Sequence, residues 1–166
     1  QRLLEACRAN DIPVIHVTTA YEITDREAPF TDMGLWHDKI PNDVVDLADK
    51  DLWAIDSRIA PIKGEYTLMK KRASSFSGTP LAGYLRAAGV DTILVTGVTA
   101  TACVRTTICD GLAEGFRTIA VKEAIGDRVP GAVAWNLFDI DAKFADVENT
   151  EDCVRYLETV NRRNTD

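Results

Sequence analysis

Apolar positions in this chain fall into short runs separated by polar turns. Ile93-Leu94-Val95 is the clearest run and reads as a strand buried on both faces. A strand is also predicted over Ile12 to Thr18, with shorter ones at Tyr66 to Lys70, Thr118 to Val121 and Phe144 to Val147. Helical patterns lie between them. Leu3, Leu4 and Cys7 share one face of a helix ending near Asn10. Thr79-Pro80 reads as an N-cap and a first-turn proline, opening a helix that runs to about Ala88 and is stopped by Gly89. Further helices are predicted from near Thr101 to Gly115, over Gly131 to Asp139, and from a Thr150 cap to about Asn161. Tyr21 to Lys50 is polar and irregular, including Thr24 to Pro29, and Leu47 to Ile59 is weakly patterned. Ala60-Pro61 and Lys63-Gly64 mark a turn, and Ser74 to Gly78 a loop. Strand and helix otherwise alternate with short connections. That predicts an α/β fold, a three-layer αβα sandwich with a mostly parallel, Rossmann-like sheet and right-handed crossovers.

Composition narrows the function classes. The 166 residues suit one domain, with 46% hydrophobic and 27% charged residues as in ordinary globular chains. The formal charge is −7, which argues against nucleic acid as a general partner. No apolar run approaches the roughly 18 residues of a membrane helix, so no membrane partner is expected. The four cysteines, Cys7, Cys103, Cys109 and Cys153, form no C-x-x-C pair, and reduced thiols in a cytoplasmic protein are expected. With only His16 and His37, a His-rich metal site is excluded. His16 lies in an apolar strand, where a packed or hydrogen-bonded role is expected rather than a catalytic one.

The candidate chemistry sits in Asp91 to Asp110. A strand turns at Gly97-Val98-Thr99, and Cys103 falls in the first turn of the next helix. There the helix dipole and unpaired N–H groups favour negative charge, which activates a thiol as a nucleophile. Ligands bind at such strand ends in open α/β sheets. The competing reading is a small buried hydrophobe.

Four blocks carry a family resemblance. They are Asp32 to Trp36, Lys70 to Thr79, Gly97 to Arg105, and Ile125 to Gly131, with a further block at Trp135 to Asp141 continuing to Lys143-Phe144. In order and over most of the chain, these resemble the isochorismatase-like cysteine hydrolases. The loop blocks are most similar to the N-carbamoylsarcosine amidase branch, with maleamate amidohydrolases as neighbours.

The resemblance implies an Asp–Lys–Cys triad with no cofactor. Some relatives hold a metal through an Asp and histidines, and because Thr18 to Arg26 has no histidine no metal is expected. Cys103 matches the nucleophile and Lys70 the lysine, with Lys71 as rival. The aspartate of the family ends its first strand and has no match here. It is expected upstream of Gln1, so residues 1–166 are read as a single domain lacking an amino-terminal strand. The oxyanion hole would use the N–H groups of Thr99 and Cys103, with a cis peptide between Val98 and Thr99. Arg128 would grip a substrate carboxylate, the other reading being a salt bridge to Asp127 or another acid. Trp36 is a candidate wall of the pocket, in its own or a neighbouring subunit, or else an interface residue. Trp135 reads as an interface residue, and Arg105, Cys109 and Cys153 as structural.

The implied activity is hydrolysis of a linear C–N amide bond in a small carboxylate-bearing molecule, with N-carbamoylsarcosine the named substrate. Maleamate or another amide is the alternative within enzymes. A ligand-binding relative without the aspartate, or a plain interaction domain, is the alternative outside them. A homo-oligomer, by resemblance a tetramer, is expected.

Overall fold

A computed structural model describes residues 1–23 and 31–163, so the predicted loop over Thr24 to Pro29 lies outside the described residues. The chain divides into two compact units, Ile15–Arg72 and Gln1–Val14 with the chain from Ala73 on. Each is described by itself.

In the Ile15–Arg72 unit, β1 (Ile15–Thr19) pairs in parallel with β2 (Tyr66–Lys70), Ile15 opposite Tyr66 and Thr19 opposite Lys70. The strand expected from Ile12 thus begins three residues later, since Pro13 has no N–H to give a ladder. The stretch expected to be irregular carries 3₁₀ turns at Gly34–Asp38, Asn42–Val44 and Ser57–Ile59, and one turn of helix, α2 (Lys50–Trp53). Tyr21, Met33 and Val45 form its buried cluster, joined by Ile23, Trp36 and Ile40. His16 Nε2 lies 2.8 Å from Glu65 Oε2, as a hydrogen-bonded strand histidine should.

In the second unit, α1 (Arg2–Ala9) packs on α6 (Thr150–Arg163), with Arg2 paired to Glu151. The sheet has the order β3 (Thr92–Val98), β4 (Arg117–Gly126), β5 (Asp146–Glu148), all parallel. The helices α4 (Arg105–Ala113), α5 (Pro130–Lys143) and α6 each pack against β4. A core of Val95, Ala100, Val104, Ile108, Ala120, Ile125 and Ile140 joins sheet to helices. Ile108 and Ile140 are fully buried, each contributing about 1.5–3 kcal/mol of hydrophobic stabilisation. Among the described residues β1, β2, β3 and β5 have ladder partners on one side only.

Several sequence expectations need correction. Of Ile93-Leu94-Val95 only Val95 is buried, because β3 is an edge of its described sheet. The strand expected to stop at Val121 continues to Gly126, because Ile125 and Gly126 pair with Gly97 and Val98 beyond an irregularity in the ladder. The helix expected to end at Asp139 runs to Lys143, helped by an Asp139–Lys143 ion pair one turn apart. In α3 (Leu81–Ala87) the N-cap is Pro80, while the Thr79 hydroxyl still accepts the Leu81 N–H at 3.3 Å. For α6 the capping side chain is Asn149, whose Oδ1 accepts the Asp152 N–H at 2.9 Å. Thr150 is instead the first helical residue.

Candidate active site

Cys103 lies in a turn of π-helix, Ala100–Val104, between β3 and α4. The helix expected from near Thr101 opens with this π-turn, in which the Val104 N–H reaches back five residues to the Thr99 carbonyl at 3.1 Å. Cys103 as a residue is partly exposed, unlike Cys153, which is 3% exposed. Burial pushes the Cys109 and Cys153 thiols upward, which suits structural roles.

The Val98–Thr99 peptide is cis. Thr99 is half-buried and Val98 exposed. The Thr106 hydroxyl donates back to the Ala102 carbonyl at 2.8 Å, bracing the turn from α4. Ala100 and Val104, on either side of Cys103, are anchored in the hydrophobic core. The turn therefore stands on a packed base.

The carboxylate of Asp127 closes the front of this turn. Its Oδ2 accepts the Thr101 N–H at 3.0 Å and the Thr101 hydroxyl at 2.7 Å. Those bonds hold the Asp127 carboxyl below the usual carboxylate range. The β4 extension makes this possible: Val98 pairs with Gly126, which delivers Asp127 to the start of the turn. A salt bridge from Arg128 to Asp127 or another acid is the sequence alternative. The structure commits Asp127 to Thr101, and the exposed Arg128 guanidinium makes no ion pair among the described residues.

Lys70 is only 5% exposed, and its Nζ donates to the Arg72 carbonyl at 2.9 Å. Lys71 points elsewhere. Its Nζ bonds Asp32 Oδ2 at 2.5 Å and the Ala20 carbonyl at 2.8 Å, above the Tyr21 ring. Arg72 donates to the backbone carbonyl of Asp32 at 2.9 Å. The Asp32 to Trp36 block is thus tied down by the two residues that follow Lys70. Trp36 packs on the Tyr21, Met33 and Val45 cluster of its own unit.

The remaining blocks have structural explanations. Arg105 pairs with Asp139, reaches Asn136 Oδ1 at 3.3 Å and stacks over Phe144 at 5.3 Å, clamping α4 to α5. The Ser75 N–H donates to Thr107 Oγ1 at 3.0 Å, and Phe76 stacks on Phe116 at 5.8 Å. Trp135 and Phe138 stand adjacent and mostly exposed on α5.

The isochorismatase domain matches residues 1–152. The chain belongs to the isochorismatase family. Among curated relatives of this family member, it is 50% identical over 161 residues to an N-carbamoylsarcosine amidase from Arthrobacter sp., covering 96% of this chain and 60% of that protein. It is 38% identical over 157 residues to a maleamate amidohydrolase from Pseudomonas putida, covering 93% of this chain and 71% of that protein. Solved isochorismatase-family structures agree on the fold. A cysteine hydrolase from Pseudomonas syringae superposes with a TM-score of 0.83 at 28% identity, over 96% of this chain and 78% of that one. An N-carbamoylsarcosine amidase from Thermoplasma acidophilum superposes with a TM-score of 0.72 at 28% identity, over 90% and 79%. The expected α/β class, with parallel sheets flanked by helices, is the isochorismatase-like fold. The chain spans 60% of the length of the Arthrobacter relative.

Proposed function

We propose that this chain carries the nucleophile and the lysine of an amidohydrolase acting on a linear C–N bond of a small carboxylate-bearing substrate, N-carbamoylsarcosine first among them. Cys103 attacks the carbamoyl carbon as a thiolate, with the Thr99 and Cys103 N–H groups holding the developing oxyanion. The C–NH2 bond breaks and ammonia leaves with a proton from the acid–base group. Water then attacks the thiocarbamate carbon and releases Cys103. The carbamate so formed falls apart to sarcosine and carbon dioxide, so one water is consumed per ammonia released.

By resemblance the acid–base group is an aspartate on a strand preceding Gln1. The described sheets are open at β1, β2, β3 and β5, so room for a further parallel strand is compatible with that reading. Lys70 favours the ionised Asp–Cys pair by its charge. Arg128 takes the substrate carboxylate, which its exposed, uncommitted guanidinium supports. Trp36 lies partly buried and is proposed to wall the pocket. Self-association is proposed through the exposed Trp135–Phe138 pair, within a homo-oligomer working in the cytoplasm.

The observation that carries the reading is the 50% identity to an N-carbamoylsarcosine amidase over 96% of the chain, which includes a partly exposed Cys103 held at a strand–helix junction. Maleamate is the second substrate to test, on the 38% identity to a maleamate amidohydrolase. The full-length gene product is assayed for ammonia release from N-carbamoylsarcosine, N-carbamoylglycine and maleamate. The expected result is preference for N-carbamoylsarcosine and loss of about 10⁴-fold or more in kcat on Cys103→Ala. Ammonia release that survives Cys103→Ala overturns the proposal.

A further inference from the structure

We infer that Asp127 is a positioning residue that sets the Cys103 turn and the Arg128 loop in one fixed relation. The inference rests on the roles proposed above for those two residues. One oxygen of the Asp127 carboxylate accepts both donors of Thr101, two residues before Cys103, at 3.0 and 2.7 Å. The other oxygen accepts the Val129 N–H at 3.4 Å, just past Arg128. Arg128 is therefore flanked by the residue that accepts these bonds and by one that donates to it. The base of the arrangement is rigid: Val98 and Gly126 are ladder partners, and a Cβ on Gly126 would sit 3.3 Å from Val98 Cγ1. Ala100 and Ile125 are buried in the same core beneath.

The geometry has a chemical consequence. A substrate held by its carboxylate on Arg128 reaches Cys103 only if loop and turn keep their separation. Both are loop-borne, and an error near 1 Å costs about 100-fold in rate. A carboxylate that bonds both removes that freedom. Asp127 touches neither substrate nor the reacting atoms.

The role predicts a kinetic signature that general destabilisation does not produce. Arg128→Ala should raise KM with little change in kcat, and Thr101→Val, which keeps the N–H, should lower kcat with little change in KM. Asp127→Ala should do both, with kcat down about 10-fold and KM up about 5-fold. Asp127→Asn should recover most of kcat, because its amide oxygen still accepts from Thr101. Adding Thr101→Val to Asp127→Ala should lower kcat no further. Additive losses, or no rescue by asparagine, overturn the inference.

A second measurement does not use turnover. Amide hydrogen exchange in Asp127→Ala should speed up together in the peptides covering residues 98–105 and 126–131, while β4 residues 118–121 stay protected. Acceleration in only one peptide, or none, overturns the coupling whether or not the chain hydrolyses amides. Joint acceleration without ammonia release by the parent protein upholds the coupling and counts against the hydrolase reading alone.

Discussion

Lys71 Nζ lies 2.5 Å from the Asp32 carboxylate, while the neighbouring Lys70 Nζ donates to the Arg72 carbonyl. Adjacent lysines at a strand end thus have separate duties. Lys70 is the last residue of β2 and Lys71 lies just beyond it, and it is Lys71 that bonds the Asp32 carboxylate. Lys71 is spent as an anchor of the Asp32 segment, which agrees with Lys70 as the proposed lysine of the triad.

Lys70→Ala should cost about 100-fold or more in kcat, the size of loss seen when one charge-stabilising group is removed. Lys71→Met should cost less than about 10-fold in kcat and instead lower stability by about 1–2 kcal/mol, read as a shift in urea midpoint. A larger kinetic loss at Lys71 would reverse the assignment of the two lysines.

Acid should loosen the Asp32 anchor. Burial pulls the Asp32 carboxyl upward, but the Lys71 bond, the Glu22 N–H and the charges of Lys71 and Arg72 outweigh it and leave it below 3.8. A depressed carboxyl contributes stability that is complete above 3.8 and fades as pH falls through its lower folded value. Unfolding followed from pH 5 down to about pH 2 should show a steeper loss below pH 4 in the parent than in Lys71→Met. Parallel curves would show that the pair contributes nothing.

The thiols should separate by reactivity. Burial raises the Cys109 and Cys153 thiols, helped by nearby carboxylates and opposed at Cys109 by the Arg105 charge, so both are protonated at neutral pH. Iodoacetamide at pH 7 followed by peptide mapping should find Cys103 alkylated about 10-fold faster than either. Equal rates at Cys103, Cys7 and Cys153 would favour a plain interaction domain.

Two glycines should respond oppositely to the same methyl group. A Cβ on Gly111 would sit 2.9 Å from Thr118 Cγ2, 3.1 Å from Ile93 Cδ1 and 3.3 Å from Phe76 Cε2. Gly111→Ala should therefore destabilise by about 1–3 kcal/mol through overpacking of α4 against the sheet. A Cβ on Gly83, inside α3, meets nothing within 4 Å. Gly83→Ala should stabilise by about 0.5–1 kcal/mol through helix propensity. Thermal melts of the two variants moving in the same direction would refute this packing account.

The amino-acid order by itself determined the alternation of strand and helix, the place of Cys103 between them, and the lysine pair at the end of a strand. Those features follow from periodicities of two and 3.6 residues and from local turn chemistry, which neighbouring residues decide among themselves. Tertiary structure decided the rest. Asp127 bonds Thr101 across 26 positions, Lys71 bonds Asp32 across 39, and the tail of β4 exists only because Gly97 and Val98 offer it a partner. The π-turn likewise depends on core packing at Ala100 and Val104 and on a distant carboxylate at Thr101. Such bonds join groups whose closeness is a property of the folded path, and no local pattern encodes a distance between residues so far apart in the chain.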